Sequence, residues 1–342
     1  MNAKERFIAE TGSSQFLESD QDTALEGYLR GQGWMNETEK VLTTEKPGEG
    51  NMNFVLRVRT DQGSFIIKQA RPWVEKYPQL DAPIDRIRTE AQFYTLVQQN
   101  EVLSKYTPQL LATDLDNYLI KVEDLGEGAD FSHVYQKGQD FTQEELESLV
   151  LFLQELHHDS FSTAATSYPR NQALKVLNHE HIFNFPYRPD NGMDLNAIQA
   201  GLHNLAVPIY EDQSLRDTIS ALGQRYLGEG PHLIHGDYYP GSWLSVNGAV
   251  KVIDPEFSFF GLAEFDLGVF LAHLRMAQSA TASVEWVREN YQRPLGFNEH
   301  LLDQFTGVEI LRRLIGIAQL PVALSIDEKK SLIEEAIGFI KR

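Results

Sequence analysis

The hydrophobic period of this chain changes once, and that change narrows the architectures open to it. Up to about residue 123 the apolar residues come in short runs rich in β-formers. Residues 38–45, 52–60 and 64–69 are such runs, separated by Gly-containing turns. The stretch VLRVRT-DQG-SFIIKQ reads as a hairpin through Asp61-Gln62-Gly63, and 110–115 and 118–123 are two further short strands. Residues 84–99 interrupt them with helical spacing at Ile87, Phe93 and Leu96. A helix over 22–34 precedes the strands, with Leu25, Tyr28 and Leu29 on one face and Asp22 as N-cap. After Gly126-Glu127-Gly128 the spacing turns helical. Leu146, Leu149, Val150, Leu153 and Leu156 make one stripe, and 265–276, 283–291, 298–320 and 326–340 read as helices. The expected fold class is therefore α+β and two-lobed. A small antiparallel β N-lobe with one helix spans 1–125, and a larger, mainly helical C-lobe spans 126–342, with the hinge at 126–128. Residues 159–200 mix Pro, Asn and Asp without a period and receive no assignment. There is no internal repeat.

A length of 342 residues suits two such lobes. The formal net charge of −19 repels phosphate backbones and anionic lipid, so neither nucleic acid nor membrane is an expected partner. The same charge is also what simple solubility would produce. With no cysteine, disulfides, thiolate nucleophiles and Cys-ligated metals are excluded. Residues 1–17 lack an apolar h-region and no apolar run reaches transmembrane length, so the expected location is the cytoplasm. The oligomeric state is left open, a homodimer included.

The chemistry concentrates in two blocks. His235-Gly236-Asp237 follows the apolar Leu233-Ile234, and Asp254-Pro255-Glu256 follows Val250-Lys251-Val252-Ile253, so charged groups stand at two strand ends. Phosphoryl transfer needs a carboxylate to orient the attacking hydroxyl and take its proton. It needs others to hold the Mg²⁺ that neutralises phosphate oxygens. Asp237 suits the first task and Asp254 and Glu256 the second. If 254–256 is extended, its i, i+2 spacing points both carboxylates to one side. Taken alone, HGD is a common turn and His235 a satisfied core histidine.

Lys68 lies in the apolar Ile66-Ile67-Lys68, where an inward ammonium requires an anion. The phosphates of ATP together with Glu90, from the helix over 84–99, would supply it, and a solvated edge-strand lysine is the alternative. Gly48-Glu49-Gly50-Asn51-Met52-Asn53 is either a phosphate-approaching loop or an ordinary hairpin turn. Glu123, Asp124 and Leu125, ending a strand before the hinge, are placed to offer backbone groups to adenine. Arg312-Arg313 sits in a helical stretch. Neighbouring helix positions diverge by about 100°, so one arginine is expected to grip substrate while the other pairs with a carboxylate. A solvated helix surface is the competing reading.

These blocks resemble the aminoglycoside phosphotransferase and choline kinase branch of the protein-kinase-like fold, and within it the methylthioribose kinases. The resemblance runs from about residue 23 to about 320 and rests on GEGNMNFVLRV, SFIIKQARPWV, RIRTEAQFY, VEDL, HGDYYPGSWL, DPEFSFFGLAEFDLG and EILRRLIGIA. It implies a catalytic role for Asp237, Mg-ATP binding by Asp254 and Glu256, nucleotide contacts at Asn53, Lys68 and 123–125, and sugar contacts at Arg312 and Arg313. Tyr238-Tyr239 departs from the usual Leu-His of the family, and Ser242 stands where many relatives carry Asn. The expected activity is ATP- and Mg²⁺-dependent phosphorylation of a small-molecule hydroxyl, with methylthioribose or a similar 5-substituted ribose as acceptor. An aminoglycoside or choline acceptor, which the acidic charge favours, is the alternative of the same fold. A nucleotide-binding pseudokinase and a metal-dependent hydrolase are alternatives of other classes, but the first would not need the surviving charged set, nor the second a strand lysine and glycine loop.

Overall fold

A computed structural model describes residues 2–19, 22–48 and 52–342. The chain divides into two compact units, Met1–Glu127 and Gly128–Arg342.

The first unit opens with α1 (Ala3–Thr11), held by a capping box in which Asn2 and Glu5 satisfy each other's backbone N–H groups. α2 (Asp22–Gly31) follows; the N-cap role expected of Asp22 concerns a side chain outside the described set. Strands β1 (Val41–Glu45), β2 (Phe54–Thr60) and β3 (Gly63–Gln69) precede the short ribbon of β4 (Trp73–Val74) and β5 (Tyr77–Asp81). After α3 (Arg86–Val97), β6 (Leu110–Asp114) and β7 (Leu119–Glu123) complete a five-stranded sheet of order β1-β2-β3-β7-β6. All its pairings are antiparallel. One face of β2 and β3, carrying Phe54, Leu56, Val58, Phe65 and Ile67, packs with Leu25 and Leu29 of α2 and with Trp34. The alternation read from the sequence is what places these residues on one side.

In the second unit β8 (Ala129–Asp130) leads to α4 (Gln143–Leu156), which starts at a Thr142/Glu145 capping box. The unassigned stretch proves to be structured. α5 (Gln172–His179) runs into a π-helical turn over Glu180–Asn184 and a 3₁₀ turn over Phe185–Tyr187. Then come α6 (Leu195–Ile198), α7 (Leu202–Glu211) and α8 (Gln213–Leu227). Two changes of helical pitch blur the period of the unassigned stretch, while Leu215, Ile219, Leu222 and Tyr226 mark α8 at regular helical spacing.

Four short strands then frame the chemistry: β9 (His232–Ile234), β10 (Trp243–Val246), β11 (Ala249–Val252) and β12 (Phe259–Gly261). β10 pairs with β8 and β11, and β12 pairs with β9. The rest is α9 (Ala263–Met276), α10 (Thr281–Asn290), α11 (Glu299–Ile315) and α12 (Ile326–Lys341). The helix expected over 298–320 is shorter at both ends. Asn298 is the N-cap, its side chain accepting from His300 and Leu301, and Gly316 ends the helix with its N–H on the carbonyl of Arg312. α9 and α11 are buried along nearly their whole length, so charged groups on them need partners inside the core.

Candidate active site

β9 delivers the chain to Gly236 at φ +83°, where a Cβ would stand 2.3 Å from the carbonyl oxygen of Phe257. Only glycine fits this turn, and the turn aims Asp237. A buried carboxylate from α9 fixes it. Asp266 accepts from the backbone N–H of His235 at 2.6 Å and of Gly236 at 2.9 Å. His157 Nε2 lies 3.2 Å from the same carboxylate, and its Nδ1 is 2.7 Å from the hydroxyl of Tyr291. The sequence reading assigned Asp266 and His157 no part. The available signal was an acidic residue at the start of an otherwise apolar helix.

His235 is a fully satisfied core histidine. Its Nε2 donates to the carbonyl of Ile253 at 3.0 Å, tying this loop to the end of β11, while its Nδ1 accepts from the Asp237 N–H at 3.4 Å. Burial lowers its pKa, more than nearby carboxylates raise it, and keeps the ring neutral.

Asp237 itself is held by α11. Its Oδ1 lies 3.5 Å from Arg312 Nη2 and 3.3 Å from Arg313 Nη2. Among the described residues no hydrogen bond reaches its Oδ2, and the one to Oδ1 comes from Arg313. Burial raises the Asp237 pKa, opposed by Arg313 and then Arg312. The two arginines, expected to diverge so that only one pairs with a carboxylate, instead converge. Both guanidiniums also bind Glu309, at 2.5 Å from Arg312 Nε and 2.8 Å from Arg313 Nε. Positions i+3 and i+4 flank position i on a helix, so two long arms reaching back toward Glu309 converge although their Cβ atoms diverge. The solvated-surface reading fails too, since both arginines are buried. Glu309 was missed, although a carboxylate three and four positions before paired arginines is a legible helix signal.

The two aromatics after Asp237 part company. Tyr238 is fully buried, stacked on Phe152 at 5.7 Å and packed on Trp243, with its hydroxyl donating to the Leu149 carbonyl at 2.9 Å. Tyr239 turns the other way, with Arg313 over its ring at 4.6 Å.

The second acidic block is not extended. Asp254 adopts left-handed φ 60°, ψ 47°, and Pro255–Phe257 form a 3₁₀ turn. Successive residues rotate by about 120° in such a turn, so the i, i+2 argument for a shared side does not apply. Glu256 is buried and its carbonyl accepts from Asn171 Nδ2 at 2.7 Å. Asp254 and Glu256 offer oxygen donors only, which suits a hard dication. Mg²⁺ keeps several waters and takes few protein carboxylates. No group of three or more His, Cys, Asp or Glu able to hold a metal occurs among the described residues.

Within the first unit, β3 lies between β2 and β7, so Lys68 is not on an edge strand. Its Nζ is 2.6 Å from Glu90 Oε1, with both side chains buried. Asn53 joins this cluster, donating to Glu90 Oε2 at 3.4 Å and accepting from Arg86 Nε at 2.9 Å. Arg86 is wholly buried and also donates to the carbonyls of Met52, Arg71 and Pro83. The glycine-loop residues 49–51 lie outside the described set. At the end of β7, Glu123 exchanges backbone and side-chain bonds with Gln109. The Asp124 carboxylate is committed to Arg57 at 3.0 Å. Burial would raise its pKa, but bonds from Ser64, Gly126 and Arg57 hold it below the usual range. Leu125 is half-buried.

A family model described as the phosphotransferase enzyme family, APH, matches residues 43–300, and the chain belongs to that family. A methylthioribose kinase from Pectobacterium atrosepticum is 29% identical over 266 residues, 74% of this chain and 64% of that protein. One from Erwinia tasmaniensis is 30% identical over 278 residues, 77% of this chain and 67% of that protein. The match thus spans about two thirds of the length of these curated relatives. The choline kinase LicA from Streptococcus pneumoniae shares the fold, with TM-score 0.51 and 13% identity over 93% of this chain and 99% of that one. No helix among the described residues is long and apolar enough to cross a membrane.

Proposed function

We propose that this protein transfers the γ-phosphoryl group of ATP, with Mg²⁺, to a hydroxyl of a small sugar, methylthioribose or a similar 5-substituted ribose. The observation that carries the reading is Asp237, fixed by the Gly236 turn and Asp266, with one oxygen against two arginines and the other uncommitted. In the reaction the acceptor hydroxyl gives its proton to Asp237 as its oxygen bonds to the γ-phosphorus. The bond to the β–γ bridging oxygen breaks and ADP leaves. The raised pKa of Asp237 brings the carboxylate nearer the working pH of a general base. Asp254 and Glu256 would hold the dication, which when bound offsets charge on the phosphate oxygens. Lys68, oriented by Glu90, would meet the phosphates. The end of β7 offers adenine backbone groups, since the Asp124 side chain is already engaged. The nucleotide-binding role goes to the N-lobe, 1–125, and the acceptor to the C-lobe, 126–342.

The names of the curated relatives support methylthioribose. The test is ADP release from ATP with 5-substituted riboses, aminoglycosides and choline, each with Mg²⁺ and with excess chelator. Turnover of methylthioribose that chelator abolishes is the expected result. Robust phosphorylation of choline or an aminoglycoside, with none of methylthioribose, would transfer the reading to that acceptor class. ATP binding without turnover of any acceptor would make the protein a pseudokinase.

A further inference from the structure

Three buried groups of the second unit have no part in the reaction as proposed: Glu309, His273 and Tyr135. They form one line. Glu309 Oε1 lies 3.0 Å from His273 Nε2, and His273 Nδ1 lies 2.6 Å from the Tyr135 hydroxyl. The protons along it can be assigned. Burial lowers the His273 pKa to about 4 and raises that of Tyr135, so the ring is neutral and the phenol protonated. Burial would also raise the Glu309 pKa, but Arg312, Arg313 and His273 overcome it and hold Glu309 ionised. A carboxylate only accepts, so Nε2 carries the ring proton and Nδ1 accepts from tyrosine.

The other side of Glu309 holds the arginines. Each guanidinium spends its Nε on Glu309, at 2.5 and 2.8 Å, and meets Asp237 through Nη2 at the longer distances of 3.5 and 3.3 Å. Both longer contacts go to Oδ1. A guanidinium free to choose would take a carboxylate bidentately, through two N–H groups on two oxygens. On Asp237 that would occupy Oδ2 as well.

The geometry points to Glu309 as a positioning residue, locked by His273 and Tyr135, that draws both arginines off Asp237 and leaves Oδ2 open to the acceptor hydroxyl. This deepens, and rests on, the reading of Asp237 as the proton acceptor. The line cannot carry a proton away, because the arginines between Asp237 and Glu309 have no acceptor and stay charged. Its effect is orientation. Tyr239 completes the lock, with Arg313 over its ring and the His273 ring 5.3 Å away.

The test compares full-length wild type, Glu309→Gln, His273→Leu and His273→Gln. His273→Gln keeps an N–H donor for Glu309, and His273→Leu does not. Two readouts are taken: the arginine Nε–H resonances of the substrate-free protein by NMR, and kcat and KM for methylthioribose and for ATP. The expected pattern is displaced or exchange-broadened arginine signals in Glu309→Gln and His273→Leu, restored in His273→Gln. In parallel kcat/KM for the sugar falls by about one to two decades, the worth of one charge-assisted hydrogen bond, and His273→Gln recovers most of it. KM for ATP stays near wild type. Wild-type arginine signals in His273→Leu would overturn the proposal. So would equal impairment of His273→Leu and His273→Gln, which would reduce His273 to packing. If Glu309→Gln does not fold, the two His273 variants decide. If wild type does not turn over methylthioribose, the acceptor reading fails, and the arginine signals still decide whether Glu309 and His273 hold the pair.

Discussion

Replacing Asp266 with asparagine tests whether the 235–237 turn is held by charge or merely by packing. Asp266 Oδ1 accepts from Gly236 N–H, and Oδ2 accepts from His235 N–H with His157 Nε2 alongside. Asparagine keeps the shape but has one acceptor oxygen and one NH₂. Either way round, the NH₂ faces a backbone N–H that cannot reverse its polarity. His157 can adapt by changing tautomer, because the Tyr291 hydroxyl on its other nitrogen donates or accepts. One buried N–H is therefore orphaned, at about 1–3 kcal/mol, and the other loses the charge assistance of its bond, about 1 kcal/mol more. The expected destabilisation of the second unit is about 2–4 kcal/mol. It should concentrate at residues 235–237, where amide hydrogen exchange reads it directly, alongside a shifted guanidinium midpoint. Because the turn aims Asp237, kcat should fall while KM for ATP changes little. Unchanged exchange protection at His235 and Gly236, with an unfolding midpoint like wild type, would refute the argument and leave the turn to packing.

Asp237→Asn should lower kcat by about 10²–10⁴ with nucleotide binding retained; kinetics beside ADP titration check this. Gly236→Ala places a methyl 2.3 Å from the Phe257 carbonyl at positive φ. It should cost about 1–3 kcal/mol in backbone strain and most of the activity, measured by thermal melting and ADP release. His273 gives a pH signature. Its pKa is about 4 folded and 6.5 free, so between those values the unfolded chain binds a proton the folded one refuses. Stability is full above 6.5 and declines as pH falls toward 4, by about 3 kcal/mol at 1.36 kcal/mol per unit. Denaturant titrations from pH 7 to 4 should show a shallower decline for His273→Gln. His179, His181 and His235, also lowered by burial, remain in both proteins and cancel in the comparison.

Periodicity and turn chemistry belong to the chain alone, and they delivered the five-stranded sheet, α4, the helices after 262 and the two acidic blocks at strand ends, but not α7 or α8. Lys68 was legible because an ammonium in an apolar strand needs an anion, and Glu90 because it lies on the one helix between the strands. Pitch changes at 180–184 and 255–257 were not read from the sequence, although Pro255 at the first position of the second turn was a local signal for it. Nor was the convergence of Asp266 on the 235–236 backbone, from 30 residues away, or of Tyr135, His273 and Glu309 on one another. Local spacing fixes which face of an element a side chain occupies. Which of many charged faces are buried against each other, and so forced to find partners, depends on how the helices pack. That is why the sequence by itself supplied Asp237, Asp254, Glu256 and the Lys68–Glu90 pair as candidates, while the groups that hold Asp237 and its turn in place emerged from the tertiary structure.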